Sequence, residues 1–95
     1  SKYPPIVRDI SFIVPNTFIP NDYFDLIREI ASDLVEEIKL LDKYENTERF
    51  GLNKISYAFR ITYRSLDRTL LSEEINELHK KIEATTSKNF DATIR

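Results

Sequence analysis

The spacing of apolar residues changes period several times along the chain, and those changes mark its elements. From Lys54 to Arg64 the period is two: Tyr57, Phe59, Ile61 and Tyr63 fall on one side, and Ser56, Ala58, Arg60, Thr62 and Arg64 on the other. Such strict alternation predicts a half-buried strand with one face covered and one open. Residues 7–14 read as an earlier strand, with Ile10, Phe12 and Val14 on one face and Asp9, Ser11 and Ile13 on the other. Pro15 and Asn16 end it, and Pro20 closes the loop that follows. A helix is then predicted from Asn21 or Asp22, both suited to the N-cap, with Phe24, Ile27, Ile30, Ala31 and Leu34 as its apolar stripe.

From Val35 to Tyr44 the period returns to two. Ile38, Leu40, Asp42 and Tyr44 are expected to share one face, and Glu37, Lys39, Leu41 and Lys43 the other. Residues 45–53 are polar and hold the sole glycine, which predicts a long hairpin loop. After the 54–64 strand, Ser65 to Thr69 form a connection in which Arg68 is expected to pair with Glu73 or Asp42. Ser72 is the expected N-cap of a second helix carrying Glu73 and Glu74 in its first turn. Ile75, Leu78, His79 and Ile82 form its inner stripe, and Thr85, Thr86 and Ser87 are expected to end it. A last strand over 90–95 puts Ala92 and Ile94 on one face, with Asp91, Thr93 and Arg95 on the other.

The order β-α-β-β-α-β predicts an α+β, ferredoxin-like βαββαβ sandwich: a four-stranded antiparallel sheet with two helices on one face. The first and third strands are central in that topology, so their outward residues lie side by side on an open face. A chain of 95 residues fits one domain, drawn over 1–95. It buries roughly two-thirds of its unfolded surface. Methionine is absent even at position 1, so a fragment of a larger chain is expected. Cysteine is absent too, which excludes disulfides and thiol chemistry.

Charge sharpens the picture by its distribution. The net charge is −2, whereas a freestanding nucleic-acid binder is usually basic. Residues 21–37 hold six acids against Arg28, a net of −5, while residues 54–68 hold Lys54, Arg60, Arg64 and Arg68 against Asp67, a net of +3. A basic face on an acidic domain is therefore open. Catalysis finds little footing. His79 is the lone histidine and lies on an apolar stripe, Gly51 stands alone, and Ser11 and Ser56 have no evident base. No metal site is expected. The open face offers better chemistry: Arg60, Arg64 and Arg95 as cations and planar stacking surfaces, Asp9, Ser11, Ser56 and Thr62 as groups for base edges. Asp9 and Arg60 also suit a plain cross-strand ion pair. The aromatics Tyr57, Phe59 and Tyr63 have core parity, unlike the open-face aromatics of an RNA recognition motif.

The blocks SKYPPIVRDISF, LLDKY at 40–44, SYAFRITYRS at 56–65, DRTLLSEEINELH at 67–79 and the closing ATIR resemble, in order and spacing, the ferredoxin-fold anticodon-binding domain at the C-terminus of phenylalanyl-tRNA synthetase. NDYFDLIREI and DLVEEIKLLDKY look more like the single-chain organellar type than the bacterial β-subunit. The resemblance implies binding of the anticodon stem-loop of phenylalanine tRNA. It also implies contacts with other domains or subunits of a parent synthetase, and no catalysis or cofactor in this domain. ATP and magnesium belong, on that expectation, to the parent's catalytic domain. Carried over by position, it points to Arg8, Asp9 and Ser11 on the first strand, Arg60, Thr62 and Arg64 on the third, and Arg95 at the end of the sheet. The expected compartment is the cytoplasm, or an organelle matrix in a eukaryote. A protein-interaction or regulatory domain of the same fold is the alternative, with contacts through Ile13, Leu41 and Ala58.

Overall fold

The computed structural model describes residues 3–95; Ser1 and Lys2, which open both the first block of the resemblance and the expected domain, lie outside the described residues. The elements are β1 (Ile6–Pro15), α1 (Pro20–Ala31), a 3-10 turn (Ser32–Leu34), β2 (Val35–Tyr44), α2 (Thr47–Phe50), β3 (Lys54–Tyr63), α3 (Ser72–Phe90) and β4 (Thr93–Ile94). The sheet runs β2-β3-β1-β4 and every pairing is antiparallel. This is the expected ferredoxin-like α+β fold, with β1 and β3 central. Among the described residues no helix is long and apolar enough to cross a membrane.

The core follows from the alternation in β1 and β3. Ile10, Phe12 and Val14 pair in register with Phe59, Tyr57 and Ile55, so their side chains form one apolar sheet surface. α1 covers it with Tyr23, Ile27 and Ala31, and α3 with Ile75, His79, Ile82 and Thr86. The expected stripe of α1 starts at Phe24, which is only partly buried; Tyr23 is fully buried instead. α1 begins at Pro20 with Ile19 as an uncapped N-cap, ahead of the expected Asn21 or Asp22. Tyr23 then meets Phe12 at 5.1 Å and Phe59 at 5.5 Å between ring centroids.

α3 runs well past Thr85–Ser87, where it was expected to end. The hydroxyls of Thr85 and Thr86 turn back onto the carbonyls of Lys81 and Ile82, so they satisfy themselves within the helix rather than breaking it. Thr86 also hydrogen-bonds the Tyr23 hydroxyl at 2.9 Å, and burial raises that phenol to about 12. The helix stops at Asp91, which adopts the left-handed conformation at φ 53° and ψ 43°. Phe90 and Asp91 thus belong to the helix and its cap, leaving β4 only Thr93–Ile94. At the other end Leu71, not Ser72, is the N-cap. Glu74 reaches back to the Leu71 N–H and holds Arg68 at 2.7 and 2.9 Å, so Arg68 pairs with neither Glu73 nor Asp42.

β2 departs most from its pattern. Register irregularities fall between Val35 and Glu37 and between Leu40 and Asp42. Directly opposed residues share a face. Ile38 opposite Ile61 and Leu40 opposite Phe59 therefore face the helices, whereas Asp42 opposite Ala58 and Tyr44 opposite Ser56 face away. The bulge at Leu41 splits the expected Ile38–Leu40–Asp42–Tyr44 face in two.

A candidate nucleic-acid interface

The face of the sheet opposite α1 and α3 is built by alternate residues of its strands. β1 contributes Val7, Asp9, Ser11 and Ile13; β3 contributes Ser56, Ala58, Arg60 and Thr62 in register against them. Glu37, opposite Thr62, Lys39, opposite Arg60, and Asp42 and Tyr44 join from β2. Sequence reasoning placed the β1 and β3 members and missed Tyr44, whose facing depends on the bulge.

At the centre, Asp9 and Arg60 are opposed residues and form a two-pronged pair. Arg60 Nε donates to Asp9 Oδ1 at 2.9 Å and Nη2 to Oδ2 at 3.2 Å. The guanidinium holds the Asp9 carboxyl below its usual range, chiefly through these hydrogen bonds and against a smaller desolvation effect. Both side chains stay about half exposed, at 46% for Arg60 and 51% for Asp9. One edge of the guanidinium, Nε and Nη2, is therefore committed, while the side chain as a whole stays half exposed.

One end of this face is furnished differently. Residues 45–53, expected to be a hairpin loop, contain the single helical turn α2. Asn46 caps it by accepting from the Arg49 N–H at 3.2 Å, and Gly51, at φ 94°, ends it with its N–H on the Thr47 carbonyl. The turn carries Phe50 to the open-face side, where its ring centroid lies 5.3 Å from Tyr44 and 5.2 Å from the Arg95 guanidinium. Arg95 donates to the Ser56 hydroxyl at 2.7 Å, and its backbone N–H bonds the Ser11 carbonyl. Ser56 is in consequence buried, while Tyr44 keeps 36% of its surface exposed.

The structure thus gathers Asp9, Ser11, Ser56, Arg60, Thr62 and Arg95 on one surface. It does not bring Arg8 or Arg64 there. Arg8 alternates to the helix side and donates to Asn76 of α3 at 3.1 and 3.2 Å. Arg64 lies beyond the end of β3, is 21% exposed, and donates to Glu36 at 3.2 Å. The Glu36 bulge in β2 places that carboxylate within its reach. A pocket of about 370 Å³ sits elsewhere, between the loop after β1 and the end of α3, with Phe18, Asp22, Lys88 and Phe90 in its lining.

The profile of the ferredoxin-fold anticodon binding domain matches residues 1–95. The chain is 41% identical over 95 residues to the chloroplastic/mitochondrial phenylalanine–tRNA ligase of Arabidopsis thaliana, covering 100% of this chain and 21% of that protein. It is 41% identical over 101 residues to a probable mitochondrial phenylalanine–tRNA ligase of Drosophila melanogaster, 100% of this chain and 22% of that one. The β subunit of phenylalanine–tRNA ligase from Prochlorococcus marinus is 36% identical over 92 residues, 97% of this chain and 11% of the subunit. The chain therefore spans about a fifth of the first two relatives and about a tenth of the third.

Proposed function

The chain belongs to the ferredoxin-fold anticodon-binding domain family, and from that membership we propose that it binds the anticodon stem-loop of phenylalanine tRNA as one module of a phenylalanine–tRNA ligase. The observation that carries the reading is the half-exposed Asp9–Arg60 pair at the centre of a sheet face that the long helices leave uncovered. Unpaired bases need planes to stack on and fixed donors and acceptors to match their edges. Arg60 and Tyr44 supply planes, and Asp9, Ser11 and Thr62 supply polar edges. The pair fixes both side chains before RNA arrives, which lowers the ordering cost of binding.

Phosphate contacts come from cations on the same face: Lys39 beside Arg60 and Arg95 on Phe50. Asp22, Asp25 and Glu29 of the acidic run lie on α1, across the sheet from that surface, whereas Glu37, opposite Thr62, stands on the open face itself. The negative net charge makes the contribution of this domain modest and leaves the rest of the parent enzyme to strengthen tRNA binding. ATP and magnesium act, on this reading, in that remaining part, and the compartment follows the parent chain.

Arg60→Ala and Asp9→Ala in the parent ligase test the reading. Both are expected to slow charging of phenylalanine tRNA while leaving phenylalanine activation with ATP intact. Unchanged charging kinetics in both variants would remove the open face from the function.

A further inference from the structure

β1 is ten residues long, yet β4 pairs with it only at Phe12 and Ile13, extended by the Arg95 N–H on the Ser11 carbonyl at 2.9 Å. In an antiparallel ladder every second residue turns its backbone groups to the same side. Ser11 and Ile13 face β4, so the carbonyls of Asp9 and Val7 point to that same edge, past the end of β4. Side chains meet them there. Arg8 Nη1 donates to the Val7 carbonyl at 2.9 Å, and His79 Nε2 lies 3.2 Å from the Asp9 carbonyl.

A carbonyl only accepts, so Nε2 carries a proton, and in the neutral ring Nδ1 then holds the lone pair. That lone pair accepts from the Tyr63 hydroxyl at 3.0 Å. Tyr63 is fully buried, and desolvation pushes its phenol far above the ordinary range, so it remains a donor. Both ring nitrogens of His79 are thereby assigned, in a site where the residue is 9% exposed. Asp9 in turn joins two faces. Its carbonyl is held by α3, and its carboxylate takes both donors of Arg60 on the open side.

We propose that His79 is a positioning residue for the open face: its Nε2–H bond to the Asp9 carbonyl sets where the Asp9 carboxylate meets Arg60, and the pair so placed sets discrimination among RNA loops. The second half rests on the RNA-binding reading; the first does not.

The test uses the 95-residue chain with His79→Gln, which keeps a donor for the Asp9 carbonyl, and His79→Leu, which removes it. Without RNA, nuclear magnetic resonance should show the Nε2–H tautomer. The Asp9 carboxyl carbon and the Arg60 Nε–H should keep their positions in His79→Gln and shift in His79→Leu. With RNA, preference for the phenylalanine-tRNA stem-loop over an anticodon-mutated one should fall roughly threefold to tenfold in His79→Leu and hold in His79→Gln. Asp9 and Arg60 signals unmoved in a folded His79→Leu overturn the positioning role. That role stands if the signals shift and no stem-loop binds; the RNA reading then fails alone. Should His79→Leu fail to fold, absence of a through-hydrogen-bond coupling between the His79 Nε2–H and the Asp9 carbonyl carbon in the unaltered chain overturns the role instead.

Discussion

Phe59 and Arg60 are neighbours in β3 and live in different solvents. Phe59 is fully buried among Phe12, Tyr23, Phe24 and Tyr57, with ring centroids 5.5–5.9 Å away. Arg60 is half exposed and touches the fold through Asp9. One peptide bond separates a residue that holds the sheet to its helices from one that has no such duty. The helix-covered face stores stability in apolar area and ring contacts. The open face stores little of it, and is free to be shaped for a ligand. Substitutions on the two sides should therefore fail different assays.

The largest effect belongs to the covered face. Phe59→Ala should cost about 3–5 kcal/mol of folding stability, because neighbouring rings cannot close the cavity. Urea unfolding of the chain reads this directly, and a loss below about 1 kcal/mol would mean that the ring cluster is not the keystone. Arg60→Ala should do the reverse: stem-loop affinity down about tenfold, with the urea midpoint hardly moved. A large fall in the midpoint would erase the division between the faces.

Gly51→Ala sharpens the contrast within the open face. A Cβ there meets nothing within 4 Å, so the penalty is backbone strain at φ +94°, about 1 kcal/mol and confined to α2. Hydrogen exchange should quicken at the Gly51 amide while the β1 and β3 amides stay protected. The smallest effect concerns pH. Arg60 lowers the Asp9 carboxyl in the folded chain, so its contribution is complete above the ordinary aspartate range, near 3.9, and lost as pH falls through the lowered folded value. Asp9→Asn should slightly flatten the acid limb of the stability profile. The change is small because the pair is solvent-screened, and an equally steep limb in the variant would show that the pair is not formed in solution.

The legibility of the sequence followed the same division. β3 could be read residue by residue because both its neighbours pair along nearly its whole length, and a strand so enclosed must alternate. β2 sits at the edge and has solvent on one side, so it tolerates two bulges. The inserted Leu41 is what delivers Asp42 and Tyr44 to the open face, and nothing in LLDKY marks it as inserted. α3 was cut short because Thr85 and Thr86 carry poor helix propensity; Tyr23 supplies the tertiary partner that keeps Thr86 in place. Of the candidate site, Asp9, Ser11, Ser56, Arg60, Thr62 and Arg95 were legible from parity alone. Arg8 has the opposite parity, and Arg64 follows a strand that has already ended. α2 escaped notice because it is one turn held by Asn46 and Gly51, a pattern also common in ordinary loops.

The division of labour between the faces meets its most direct test in a titration of the isotopically labelled chain with the phenylalanine-tRNA anticodon stem-loop, at low and moderate salt, beside an anticodon-mutated loop. The expected result is perturbation of Ser11, Ala58, Arg60, Thr62 and Tyr44, with Ile27, Ile75 and Ile82 unmoved. It should be stronger for the cognate loop and weaken as salt rises. Perturbation centred on α1 and α3 with a silent open face would contradict it.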